Sequence, residues 1–441
     1  MAEARTVTSA VRPRRLSGVF YGWWIVMAGG GLQLIQSALL GQAYGAYVVL
    51  LRDDFGWSKT ALAAASSMRE AESGLTSPFQ GWLLDRFGPR RIAAIGVIIF
   101  ASGFMLFSQV SSLLTFYLAF LVMSTGASLA GWLTVTYTTV QWFERKRSTA
   151  IALTTTGFAA GGMLVPLTAL VLEGIGWRQT AFLSGVIVLL VGLPLTRVLH
   201  GRPEGMGLRP DGDAREEASA GEEDRSLLPP RLETVRIDFT LGEALRTPSF
   251  WWISLGHASA LFVVSAVGVH LISHLIESQG YSLGQASTVV FLLTGLLLIG
   301  TISGGVLGDR VNKRALLVCC MAMHAGGLLI LSHAMNVWMV LAFVLLHGLA
   351  WGWRGPQMAA IRADYFGRAS FGKILGISNL VIIVGTISGP VIAGLLYDQT
   401  GNYRLGFDIL AGIAAAGSIF FILARPPAAP ERPGVSSQLA G

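Results

Sequence analysis

The sequence predicts an all-α membrane protein with twelve transmembrane helices in two pseudo-symmetric six-helix bundles. Three observations carry this expectation. Charged residues make up only 13% of the 441 residues and apolar residues 53%, whereas an ordinary soluble protein is about 25% charged. Twelve apolar runs come close to the roughly 20 residues that cross a bilayer as a helix. The last six runs repeat landmarks of the first six.

So few charges cannot cover a water-facing surface, so most of the outside is expected to face lipid. The 54 glycines fit this reading, because small residues let membrane helices approach closely. Cys319 and Cys320 are adjacent, and neighbours on a helix diverge by roughly 100°, so they do not readily pair. No disulfide framework, metal site or cofactor is expected, and no nucleophile–base set or phosphate loop suggests an enzyme. The net charge of +7 would point to nucleic acid in a soluble protein. Here it arises from loops, and no nucleic-acid partner is expected.

The apolar runs fall at 21–48, 61–84, 92–110, 113–140, 150–172 and 180–199, then at 250–276, 285–307, 315–334, 337–361, 374–397 and 405–424. The first is about 28 residues long, too long for a cleaved leader, and reads as an uncleaved span. Basic residues orient the set. One side carries Arg86, Arg90, Arg91, Arg145, Lys146, Arg147, Arg310, Lys313, Arg314, Arg362, Arg368 and Lys373, with Arg5, Arg12, Arg14 and Arg15. The other carries Arg52, Lys59, Arg178 and Arg404. Both termini are therefore expected in the cytoplasm, with the chain multi-pass in the inner or plasma membrane. The expected divisions are a tail 1–20, a six-helix bundle 21–200, a cytoplasmic linker 201–247, a second bundle 248–425 and a tail 426–441. The linker is rich in Arg, Glu, Asp, Pro and Gly, and reads as a tether or a regulatory segment.

The repeat has an offset of about 224 residues. Gly56-Trp57-Ser58 recurs as Gly280-Tyr281-Ser282, and Asp85-Arg86 as Asp309-Arg310. Trp142-Phe143 recurs as Tyr365-Phe366, Pro166 as Pro390, and the stretch Gly176 to Phe182 as Gly401 to Phe407. Two parallel halves suit a rocking carrier with its site between them.

The stretch Gly81-Trp-Leu-Leu-Asp85-Arg86-Phe-Gly88-Pro-Arg90-Arg91 resembles the loop 2–3 signature of the major facilitator superfamily (MFS fold). A second copy, Gly305-Val-Leu-Gly-Asp309-Arg310-Val-Asn312-Lys313-Arg314, has Asn312 in place of Gly88. Tyr21-Gly22-Trp23-Trp24 opening the first span looks like the oxalate/formate antiporter and monocarboxylate porter branch. The resemblance implies that Asp85 faces the positive N-terminus of helix 11 as a gate, with Arg86, Arg90, Asp309 and Arg310 as further gating candidates.

Ionisable residues at membrane depth are costly and usually functional. Arg354, in Trp351-Gly-Trp353-Arg354-Gly-Pro356-Gln357, stands about ten residues from Asp364, roughly 15 Å inward. No acid lies near it on the same run. Its anion is either Glu70 or Glu72 on the second span, or the substrate, which the branch resemblance favours. Arg69 and Glu72 are three apart and share a helix face, with Glu70 about 100° round. One acid is free to pair with Arg69 and the other to carry a proton. Gln33, Gln36, Tyr44, Thr134, Thr136 and Tyr137 are either cavity donors or interhelix glue. His257 is a candidate for substrate or proton contact. His270 and His274 have a zinc-like spacing without a third ligand, and His324, His333 and His347 read as packing hydrogen bonders.

The function expected is a secondary transporter, a monomer, for a small organic anion such as a monocarboxylate, proton-coupled or exchanging. A drug or amphiphile exporter and a receptor on a transporter scaffold are the alternatives.

Overall fold

The computed structural model describes residues 19–41, 43–57, 59–212 and 238–430. The four N-tail arginines, most of the expected linker (213–237) and residues 431–441 lie outside the described residues, as do Gln42 and Ser58. Among the described residues, twelve helices cross the molecule. In the first half, α1 is Tyr21–Gly41, followed by the segment Tyr44–Phe55; α2 is Lys59–Phe87; α3 is Pro89–Phe107; and α4 is Leu113–Trp142. α5 comprises Arg147–Met163 and Val165–Ile175, and α6 is Trp177–Val198. In the second half, α7 is Pro248–Glu277, α8 Leu283–Arg310, α9 Lys313–Ser332, α10 Val337–Phe366, α11 Phe371–Thr400 and α12 Arg404–Leu423. No strand occurs among the described residues.

Ten of these helices are long and apolar enough to cross a membrane on composition alone. The other two are α2, which carries Arg69, Glu70 and Glu72, and α5, whose two segments part at Leu164. Both run along the seam between the halves rather than facing only lipid, so they tolerate polar residues.

Side-chain caps fix several helix starts. Ser112 and Thr115 form a capping box on α4, and Ser282 and Gln285 form one on α8. The position where the two signature copies differ has a local cause. Gly88 takes a left-handed φ of 79° before α3, whereas Asn312 stays at −63° and caps α9 by accepting from the Ala315 N–H. The same corner is turned once by backbone freedom and once by a side chain.

Within each half the pairings repeat: α1 packs on α5 as α7 does on α11, α2 on α4 as α8 on α10, and α3 on α6 as α9 on α12. Each half has its own apolar core. The halves meet along α2–α11 and α5–α8. A third apolar cluster joins them at the arginine-rich end, with Leu84, Leu133 and Tyr137 against Ala360, Phe371 and Leu375.

Candidate functional site

A cavity of about 430 Å³ lies between the halves, above that cluster. α2 contributes Glu70, Ser73, Gly74 and Ser77, while α4 and α5 add Trp132 and Thr155. From the other half come His257, Leu297, Trp351, Arg354 and Asn379. α10 is shaped for this place. Gly352 presses on the α8 backbone, where a Cβ would stand 2.5 Å from the Leu297 carbonyl oxygen. Pro356 has no N–H for the carbonyl four residues back. Gly355 meets nothing within 4 Å. The helix is therefore pinned on one side and opens bare backbone to the cavity on the other, beside Arg354.

The Arg354 side chain is 1% exposed, and its Nε has no hydrogen-bond partner. No described carboxylate reaches it. Deeper on α10, Arg362 is equally buried. Its Nε and Nη2 donate to Ser378 Oγ at 3.1 and 2.8 Å, and Nη1 donates to the Met358 carbonyl. Ser378 lies 2.8 Å from Ser254 Oγ, which donates to the Phe250 carbonyl. This chain satisfies the N–H groups of Arg362 but brings no negative charge. Arg362 Nη2 also points at His257 Nδ1 at 3.4 Å. Arginine only donates, so Nδ1 is the acceptor and the ring hydrogen sits on Nε2. Arg354 and His257 line the cavity as donors, and Arg362 stands behind His257. The apolar run ends at Ile361, which puts Arg362 among the loop charges, whereas the structure holds it inside α10. The signal that places it otherwise is the absence of any helix breaker between Arg362 and Gly367, which carries α10 to Phe366.

On the opposite wall the charges pair differently from the expectation. Arg69 bonds Glu70 at 3.1 Å, not Glu72. Glu72 instead accepts from Thr76 Oγ1 at 3.1 Å, one turn along. Arg69 reaches its immediate neighbour because both side chains bend to the half-exposed side, whereas Glu72 turns inward. Of these acids only Glu70 lines the cavity.

The three N-half donors lie elsewhere. Gln33 donates to the Thr154 carbonyl at 3.3 Å and ties α1 to α5. Gln36 Oε1 stands 3.1 Å from where a Cβ on Gly131 would be, against the break in α4. Tyr44 donates to the Leu62 carbonyl at 2.6 Å. Thr134 receives a bond from Gln80, and Tyr137 lies in the interhalf cluster. His270 donates to the Pro390 carbonyl at 2.9 Å, and His274 packs on Tyr403 and Phe407. His324 and His347 share a 3.0 Å Nδ1–Nδ1 hydrogen bond, with both Nε2 atoms buried and unpartnered.

The family model of the Major Facilitator Superfamily matches residues 26–313 and 253–440. The chain belongs to the Major Facilitator Superfamily. It is similar to the MFS transporter asaE of Aspergillus flavus, at 25% identity over 359 residues, 78% of this chain and 73% of that protein. It is also similar to monocarboxylate transporter 11 of Mus musculus, at 24% identity over 424 residues, 93% of this chain and 89% of that protein. Its fold resembles the crystal structure of a bacterial homologue of the iron transporter ferroportin in an outward-facing state. There the TM-score is 0.69 at 16% identity, over 92% of this chain and 99% of that one.

In this Major Facilitator Superfamily transporter, two matched carboxylate contacts link the halves at the arginine-rich end. Asp85, at the end of α2, accepts from the Gly372 and Lys373 N–H groups at 3.3 and 3.1 Å, in the first turn of α11. Asp309, at the end of α8, accepts from Ser148 and Thr149 at 2.8 and 3.0 Å, in the first turn of α5. Free N–H groups and the helix dipole favour an anion at each place. Arg147 and Lys313 both pair with Asp364, and Arg368 pairs with Glu144 at 3.3 Å. Gly81 lets α2 and α11 touch backbone to backbone. Arg86 stacks over Trp82 and Phe87, and Arg90 is exposed without an acid partner among the described residues.

Proposed function

We propose that this transporter is an alternating-access carrier for a small organic anion of monocarboxylate size, proton-coupled or exchanging. The observation that supports it most is Arg354, a fully buried guanidinium that lines the cavity with no described acid to pair it. A buried charge left alone is strongly unfavourable. An anion entering the cavity supplies the missing charge and accepts the N–H groups that Arg354 and His257 offer. Arg362 adds positive potential from below. A monocarboxylate transporter stands among the relatives, in accord with this chemistry.

Glu70 is the proposed proton carrier. It faces the same cavity and already has a partner in Arg69, so gaining or losing its proton changes the pairing across the cavity. Glu72, held by Thr76, is the second candidate. Asp85 and Asp309 are the proposed gates, releasing α11 and α5 when the halves rock. With the arginine-rich end in the cytoplasm, the present state is sealed inside and the cavity serves the outer side. An amphiphile exporter is the second reading, favoured by the apolar walls of Trp132, Leu297, Trp351 and Ile382.

The test is uptake into proteoliposomes. Wild type should accumulate a labelled monocarboxylate, and Arg354→Ala should lose uptake while remaining folded in detergent. Undiminished uptake by Arg354→Ala would sink the anion site. Transport only of apolar cations would move the assignment to the exporter.

A further inference from the structure

At the sealed end the basic residues differ in what they meet. Arg147, Lys313 and Arg368 are each paired with an acid. Arg90, Arg91 and Arg197 are exposed, and none bonds or pairs with another described residue. These three are not scattered. Arg90 and Arg91 come from the first turn of α3 and Arg197 from the last turn of α6, and all three border one groove.

The groove has a volume of about 390 Å³, with Ala94 and Leu193 in its wall. An adjoining hollow of about 450 Å³ shares Arg90 and Arg91 and extends to His200. Below, α3 and α6 close on each other, since a Cβ on Gly192 would come within 2.9 Å of Val97. One to two turns deeper, Ile95 and Ile98 on α3 and Leu190 and Val191 on α6 are exposed apolar side chains. Such side chains belong to the acyl region, which sets the three guanidiniums at headgroup level. The groove is thus cationic at the membrane surface and apolar beneath it. Neither concavity shares a residue with the central cavity.

We propose that this groove is a binding site for an anionic phospholipid. Its phosphate sits among Arg90, Arg91 and Arg197, and an acyl chain lies against Ala94 and Leu193. Guanidinium matches phosphate oxygens in charge and geometry. A zwitterionic lipid also carries a phosphate, but its ammonium finds no acid among the described residues that line the groove, so the site selects net negative charge. Gly88, at the N-cap of α3, has no side chain to cap the first turn, which leaves further N–H donors beside the arginines. Each arginine near an anionic membrane surface gives about a fivefold gain, so three give roughly a hundredfold preference.

The experiment is competition binding followed by native mass spectrometry of the full chain in detergent, with phosphatidylglycerol against phosphatidylcholine of the same acyl chains. Wild type should retain phosphatidylglycerol with a preference of tenfold or more (~10–100-fold). Arg90→Gln/Arg91→Gln/Arg197→Gln should bring the ratio close to parity. The corresponding triple lysine variant should keep most of it, which separates lost charge from a damaged fold. Arg310→Gln/Arg314→Gln, in the other half, should leave the preference in place. Equal retention of both lipids by wild type, or an unchanged preference in the triple glutamine variant, overturns the proposal. Displacement of phosphatidylglycerol by inorganic phosphate alone overturns the lipid assignment in favour of a soluble phosphate.

Discussion

Gly81→Ala tests how the two halves are held together. A Cβ at Gly81 would stand 2.0 Å from the Gly372 carbonyl oxygen, 2.5 Å from its carbon and 3.0 Å from the Lys373 nitrogen. All three are backbone atoms of the α11 start, so no side chain can swing aside. The helices must part by roughly 1 Å or more before ordinary contact returns. That movement also lengthens the Asp85 bonds to Gly372 and Lys373, now 3.3 and 3.1 Å. Overpacking of this kind costs about 1–3 kcal/mol, charged only to the sealed state, which shifts its population against the open state by roughly 5- to 150-fold. Nitroxide labels at the exposed Phe87 and Val311, in a background with Cys319 and Cys320 replaced by serine, report the separation by pulsed electron resonance. Gly81→Ala should add a longer-distance population. Gly295→Ala, where an added Cβ meets nothing within 4 Å, should leave the distribution unchanged. A wild-type distribution in Gly81→Ala would refute the close contact as the seal.

Further predictions concern single groups. Asp85→Ala and Asp309→Ala should weaken the same seal by comparable amounts, about 2–3 kcal/mol each from lost charge-assisted bonds, seen as longer distances between the same labels; an effect confined to one of them would contradict the matched geometry. Glu70→Gln should abolish accumulation against a gradient while sparing counterflow exchange, and unchanged accumulation would remove Glu70 from the coupling. His324→Leu should destabilise the protein by about 1–3 kcal/mol, because it strands His347 Nδ1 in the interior. The His324→Leu/His347→Leu pair should cost less than the sum of the singles in thermal unfolding, and strict additivity would argue against the shared hydrogen bond.

The twelve spans and their two-half repeat could be read from the sequence, because hydrophobic length and matched landmarks survive without tertiary information. Asp85 could be placed because its partner is a helix start, which a signature motif fixes. The interior was harder to read. Spacing along one helix gave Arg69 and Glu72 a common face, yet it does not say which rotamers the surroundings allow, and Arg69 pairs with Glu70. Gln33 and Tyr44 look like cavity donors by type, but the neighbouring carbonyls of Thr154 and Leu62 take them. Arg362 was assigned to a loop because the apolar run ends at Ile361, although the backbone stays helical to Phe366. Its side-chain partners, Ser378 on the next helix and His257 on α7, come from other helices, and no local pattern announces them.

If Arg354 awaits an anion, thermal unfolding of the purified protein with a panel of small carboxylates and apolar cations will reveal it. A ligand that binds only the folded state raises its stability by about 2.7 kcal/mol at a hundredfold excess over its dissociation constant. A carboxylate should stabilise wild type and lose that effect in Arg354→Ala. Equal stabilisation of Arg354→Ala by the same carboxylate, or stabilisation of wild type by apolar cations alone, would mean that Arg354 binds no anion.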